Sequence, residues 1–142
     1  MDEVINTWNS IVEKVIQTGL PTLKQEEQSI FRAYSFIIQV EMGGISGALY
    51  NLSPRLGSDQ HQWIDLRLTA ESLVTIGDNE TAQLLLKAAD VLENLPNSLS
   101  PTWGEFMKSV DTQIPEGFWE TIEARIPNIY DVLEEYTSVY LS

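Results

Sequence analysis

The stretch from Gln39 to Asn51, Gln-Val-Glu-Met-Gly-Gly-Ile-Ser-Gly-Ala-Leu-Tyr-Asn, decides how the rest of the chain is read. It follows a long apolar-periodic run and precedes a short one, with Gly43 and Gly44 between them. Adjacent glycines reach positive φ at little steric cost, so one helix can end and another begin in almost no space. Ile45, Ala48 and Leu49 resume the helical spacing, and Asn51, Ser53 and Pro54 stop it. The expectation is a tight helix–Gly-Gly–helix corner in which Gly43, Gly44 and Asn51 are structural.

Helical periodicity extends outward on both sides. Val4, Ile5, Trp8, Ile11, Val12, Val15 and Ile16 repeat at i, i+3/i+4 and i+7. Gly19 and Pro21 close that run. Thr22 opens the next one, with Gln25 in the capping-box position, and Leu23, Ile30, Phe31, Tyr34, Ile37 and Ile38 form its apolar face. Ser53 to Asp59 reads as a loop. Trp63, Leu66, Ala70, Leu73 and Val74, widened by Ile64 and Leu68, form a stripe broad enough for a helix covered on more than one side. Gly77 ends it. Asp78 and Asn79 are good caps for a helix carrying Ala82, Leu85, Ala88, Ala89, Leu92 and Leu95, so these two helices should form an antiparallel hairpin. After a loop at Pro96 to Ser100, Trp103, Phe106, Met107 and Val110 make a short amphipathic helix. Phe118, Trp119, Ile122 and Ile126 make another, and Pro127 kinks it or begins a new one. Ile129, Val132, Leu133, Tyr136 and Tyr140 share a face of the last. No stretch alternates as a strand would. The fold class expected is all-α: residues 1–142 as one acidic bundle of about seven or eight helices.

Composition narrows the function. Eight Lys and Arg face 21 Asp and Glu, a net charge of −13. Residues 1–70 carry 8 acids and 5 bases, net −3, while residues 71–142 carry 13 acids and 3 bases, net −10. Such a surface repels phosphates, which argues against nucleic acid as a direct partner and against anionic membranes. A basic protein is the complementary partner. No apolar run approaches the ~18 residues of a membrane span. Met1-Asp2-Glu3 has the wrong sign for a signal or transit peptide, and there is no cysteine. A cytoplasmic location is expected.

The residues spell no familiar chemistry. The single histidine, His61, has Asp65 at i+4, and an enzyme reading would rest on His61, Asp65 and Glu41. Ser46 in Gly-Ile-Ser-Gly lacks the nucleophile-elbow spacing. There is no phosphate-binding glycine motif and no Glu-x-x-His pair of the di-iron kind. The expectation is a protein that is not an enzyme and uses no cofactor or metal.

The carboxylates of the last third are more suggestive. Glu116, Glu120 and Glu123 fall at i, i+4 and i+7, which places them on one face, and Asp131, Glu134 and Glu135 repeat the arrangement on the last helix. Only Arg125 lies among them. Like charges at i, i+4 cost a helix a few tenths of a kcal/mol each, so a stripe with few compensating bases asks for a reason. These six residues are the candidate protein-binding site. Trp8, Trp63, Trp103 and Trp119 read as core, and Tyr136 and Tyr140 mark a candidate homodimer contact.

Two pieces together carry a resemblance: the glycine corner, and Leu68 to Leu92 with Ile76-Gly77-Asp78 between helices and Ala-Gln-Leu-Leu-Leu-Lys-Ala-Ala from Ala82 to Ala89. They resemble a large, mostly bacterial family of small all-helical domains, largely of unknown function, with the signature Val-x-Asn-Gly-Gly-Phe-x-Gln-aromatic-aromatic-x-Asn. Val40, Gly43, Gly44 and Asn51 fall on it, and Ile45 stands in for the Phe. Met42 replaces the Asn, Gly47 the Gln, and Ala48 and Leu49 the aromatic pair. The family includes a double-stranded-DNA mimic that binds a DNA-binding transcription factor. The resemblance implies a DNA-mimic or protein-binding role here, with a basic DNA-binding regulator as partner. An immunity or antitoxin-like protein neutralising a basic toxin is the alternative of similar charge.

Overall fold

The computed structural model describes residues 2–19, 23–52, 62–94, 108 and 111–140, with the side chains of residues 2, 45–52 and 62–65 outside the description. Among the described residues there are six helices and no strand: α1 (Asp2–Thr18), α2 (Gln25–Leu52), α3 (Gln62–Ile76), α4 (Asn79–Asn94), α5 (Phe118–Glu123) and α6 (Ile126–Tyr140). The count is below the seven or eight expected. α2 is two helical segments meeting at a kink at Gly44 and is counted here as one element, and the helix expected around Trp103, Phe106, Met107 and Val110 lies outside the described residues. So do the loops expected at Ser53 to Asp59 and Pro96 to Ser100.

α1 buries Val4, Thr7 and Ile11 against α2 and α6. It ends on Gly19, whose φ of 89° lets its N–H reach the Val15 carbonyl at 2.9 Å. The stripe is narrower than its sequence suggests: Ile16 is 78% exposed and Ile5 also faces out. α2 starts at Gln25, later than expected. Glu27, not Gln25, takes the acceptor role at the helix start: three residues past Lys24, it accepts the Lys24 backbone N–H at 3.1 Å, the half of a capping box that needs no hydroxyl at the cap. Ile30, Ala33, Tyr34, Phe36, Ile37 and Val40 then bury one continuous side.

Within α2 only Gly44 leaves helical geometry, at φ 66° and ψ −173°. That region is essentially closed to residues with a Cβ. Gly43 stays helical, so the break rests on one glycine.

α3 and α4 form a close antiparallel pair. Gly77, at φ 110°, donates to the Leu73 carbonyl at 3.0 Å, and Asp78 N–H reaches the same carbonyl at 2.8 Å. Ala82, Ala88 and Ala89 are fully buried on α4, and their small size lets the helices approach. Val74, read as core, is exposed. α3 also packs on α2. Pro127 falls in the first turn of α6, where a missing N–H costs nothing, so it begins a helix. Ile129, Leu133 and Thr137 of α6 and Phe118 and Ile122 of α5 close the core.

Candidate interaction surface

All six candidate acids, Glu116, Glu120, Glu123, Asp131, Glu134 and Glu135, are exposed. They do not form one stripe. Glu116 lies outside any helix, because Gly117, at φ 83°, caps α5 and the helix begins only at Phe118. Helical i, i+4, i+7 spacing therefore does not relate it to Glu120 and Glu123. Instead Glu116 and Glu120 border a surface depression of about 340 Å3 together with Asp111 and Trp119. The Trp119 indole N–H donates to Asp111 Oδ1 at 3.2 Å. Glu123 turns towards the break in α2: its Oε1 lies 3.5 Å from where a Cβ on Gly44 would stand. Asp131, Glu134 and Glu135 share the outward side of α6, away from Ile129, Leu133 and Thr137. α6 contains no lysine or arginine.

The expected neutralising base is engaged elsewhere. Arg125 donates from Nη2 to Asp78 Oδ1 at 3.0 Å and from Nε to Thr81 Oγ1 at 3.0 Å, and its Nη1 lies 3.2 Å from Glu80. Arg67 pairs with Asp90 and Glu93, and Lys14 with Glu27. None of these five acids belongs to the candidate set. Among the described residues Glu116, Glu120, Asp131 and Glu135 have no ion-pair partner.

The Arg125 contact is part of a buried polar cluster that the residue spacing only half announced. Asp78 is nearly fully buried and caps α4, accepting the Thr81 N–H at 3.1 Å on Oδ1 and the Thr81 hydroxyl at 2.6 Å on Oδ2. Burial pushes its pKa up, but hydrogen bonds from Thr81, Arg125 and Asn128 outweigh it and hold the carboxyl below its usual value. Glu27 follows the same logic: burial opposes ionisation, while Lys14, the Lys24 N–H and Tyr140 favour it and win. Nothing in the spacing pointed to Glu27 as a junction, since Lys14 and Tyr140 come to it from α1 and the end of α6.

A family model described as DMP19-like protein matches residues 21–141. The chain belongs to the DMP19-like family. The matched span takes in all six acids and every helix except α1. No curated protein and no solved structure matches the chain.

Other residues of this DMP19-like chain fall as follows. His61 lies outside the described residues, as do the side chains of Asp65 and Asn51. Glu41 is exposed and accepts a hydrogen bond from Tyr130, whose pKa is pushed up to about 12 by burial and by that carboxylate. Among the described residues no group of His, Asp or Glu is arranged to hold a metal ion, and no helix is long and apolar enough to cross a membrane. Trp8 packs on Tyr34 at 5.4 Å and donates to Ser35 Oγ at 3.4 Å. Trp119 is half-buried, and the Trp63 side chain and all of Trp103 are outside the description. Tyr136 and Tyr140 pack against the chain's own core, so much of their apolar surface is already covered without a second copy.

Proposed function

We propose that this chain is a non-enzymatic, cytoplasmic interaction domain that presents carboxylates in place of DNA phosphates to a basic DNA-binding protein. The observation that carries this reading is the distribution of partners. The arginine that lies among the C-terminal acids in sequence is spent on Asp78 and Glu80, leaving Glu116, Glu120, Asp131 and Glu135 exposed and without ion pairs among the described residues. Membership of a DNA-mimic family supports it. The scale also fits. Duplex DNA carries a charge about every 3.4 Å along each strand, and Asp131 and Glu135, four residues apart on α6, are about 6 Å apart along its axis.

Such a surface performs no bond chemistry. It accelerates encounter with a positive partner and does so less well as salt rises. Glu116, Glu120, Glu123, Asp131, Glu134 and Glu135 are the residues assigned to it. The test is competition: a basic helix-turn-helix regulator is bound to labelled duplex DNA, and this chain is titrated in across a salt series. Displacement that weakens steeply with salt, and that is lost when Asp131, Glu134 and Glu135 are changed to Lys, is the expected result. Displacement indifferent to salt or to those changes overturns the reading.

A further inference from the structure

Beside the α6 acids lies a feature that charge mimicry does not use. The end of α3 and one side of α6 form a shallow groove of about 300 Å3, lined by Ile76, Gly77, Val132, Tyr136 and Val139, with Glu135 on its edge. Ile76 is already buried by the fold, but Val139 is 70% exposed. The volume is at the lower limit of small-molecule pockets, and the lining is mostly hydrocarbon. Val132, Glu135 and Val139 follow one another at i, i+3 and i+7 along α6, so the exposed carboxylate sits between the two valines on the same strip of helix. Asp131 and Glu134 border that strip, and α6 itself carries no lysine or arginine.

We propose that this groove receives an aliphatic side chain from the basic partner, so that the surface selects an amphipathic basic segment rather than any polycation. The inference rests on the functional reading above. An apolar centre ringed by charge is the usual anatomy of a specific interface: the centre supplies burial, and the rim supplies steering and register. Charge complementarity decides the occupant. A second copy would bring an equally acidic face to this one, on a chain that already carries −13. A segment with Lys or Arg on either side of a leucine meets both the groove and its edge.

The test uses the full chain and two synthetic helical peptides of equal length and charge. One carries leucines on a single face among lysines; in the other those leucines are serine. Binding is measured by calorimetry and by methyl NMR shifts. The leucine peptide is expected to bind at least about tenfold more tightly and to shift the methyls of Ile76, Val132 and Val139. Val139→Ser should remove most of that advantage and leave the serine peptide unaffected; the site is exposed, so the helix content should not change. Equal, salt-sensitive binding of both peptides overturns the groove while the acidic-surface reading stands. Binding of neither overturns both. Self-association that Val139→Ser abolishes assigns the groove to a second copy and overturns the proposal.

Discussion

Arg125 reaches from the turn between α5 and α6 to Asp78 at the start of α4, with Nη2 and Oδ1 3.0 Å apart. One guanidinium thereby fastens the C-terminal helices to the α3–α4 pair and is withdrawn from the acids that flank it in sequence. Asp78 is nearly inaccessible, so the contact matters more than a surface pair, which is worth little. Removing one partner of a buried pair strands a charge. Arg125→Ala is expected to cost about 3 kcal/mol, read as a lower urea midpoint with an unchanged slope. Arg125→Lys should recover only part, because a single ammonium cannot serve Asp78, Thr81 and Glu80 in the geometry of a planar fork.

Stability should fall on both sides of neutral pH. Asp78 and Glu27 lie below their ordinary values of 3.8 and 4.5 in the folded chain. A depressed carboxyl contributes stability that is complete above its unfolded pKa and disappears as pH falls through the folded one. The acid loss therefore falls below about pH 4. Asp78→Asn should be less stable at pH 7 and less sensitive to acid. Tyr130 is shifted the other way, from 10.0 to about 12, by burial and by Glu41. Folding keeps it neutral, so its contribution is lost as pH rises from 10 towards 12. Tyr130→Phe should flatten that limb in urea midpoints measured from pH 8 to 12.

Much of this arrangement follows from apolar spacing. Ile30, Ile37, Leu73, Leu85, Ile129 and Leu133 are buried where periodicity puts them, and Gly19 and Gly77 end helices where a left-handed residue is needed. Spacing is silent on which edge of a broad stripe finds a cover, so Ile16 and Val74 fit their stripes and yet are exposed. It also equates neighbours in sequence with neighbours in space. Glu116 drops out of helical register because Gly117 turns the chain, and Arg125 leaves the acids around it for Asp78, 47 residues away. Asp111, which joins Glu116 and Glu120 at one depression, and Glu27, which gathers Lys14 and Tyr140, become visible only when distant segments meet.

The two glycines of the corner should behave differently. Gly43 is helical and has open space where a Cβ would go. Gly43→Ala therefore gains helix propensity and should be neutral or stabilising by up to about 1 kcal/mol. Gly44 also has room, its nearest neighbour being Glu123 Oε1 at 3.5 Å, but its φ and ψ disfavour any side chain. Gly44→Ala should cost about 1–3 kcal/mol through backbone strain alone. Thermal unfolding of the two variants side by side checks this, and equal effects would show that both positions share the break.

Thr137 is fully buried on α6, and among the described residues its hydroxyl has no hydrogen-bond partner. An unmatched buried hydroxyl costs about 1–3 kcal/mol of desolvation. Valine has almost the same shape. Thr137→Val should therefore raise stability by about 1 kcal/mol, seen as a higher urea midpoint with binding of any partner unchanged.

The α6 acids allow a solubilising surface to be told from a binding one. Asp131 and Glu135 are four residues apart on a helix, so they repel each other mildly. Glu135→Lys replaces that repulsion with an attraction, the acid standing N-terminal to the base in the favourable order, and should stabilise the chain by a few tenths of a kcal/mol. If the carboxylates serve only solubility, nothing else should change. If they engage a basic protein, the same substitution should slow association and reduce its salt dependence while the fold becomes firmer. Stopped-flow association rates at two ionic strengths, paired with urea titrations, separate these outcomes. A gain in stability with a loss in on-rate marks a surface maintained for binding at the expense of the helix that carries it.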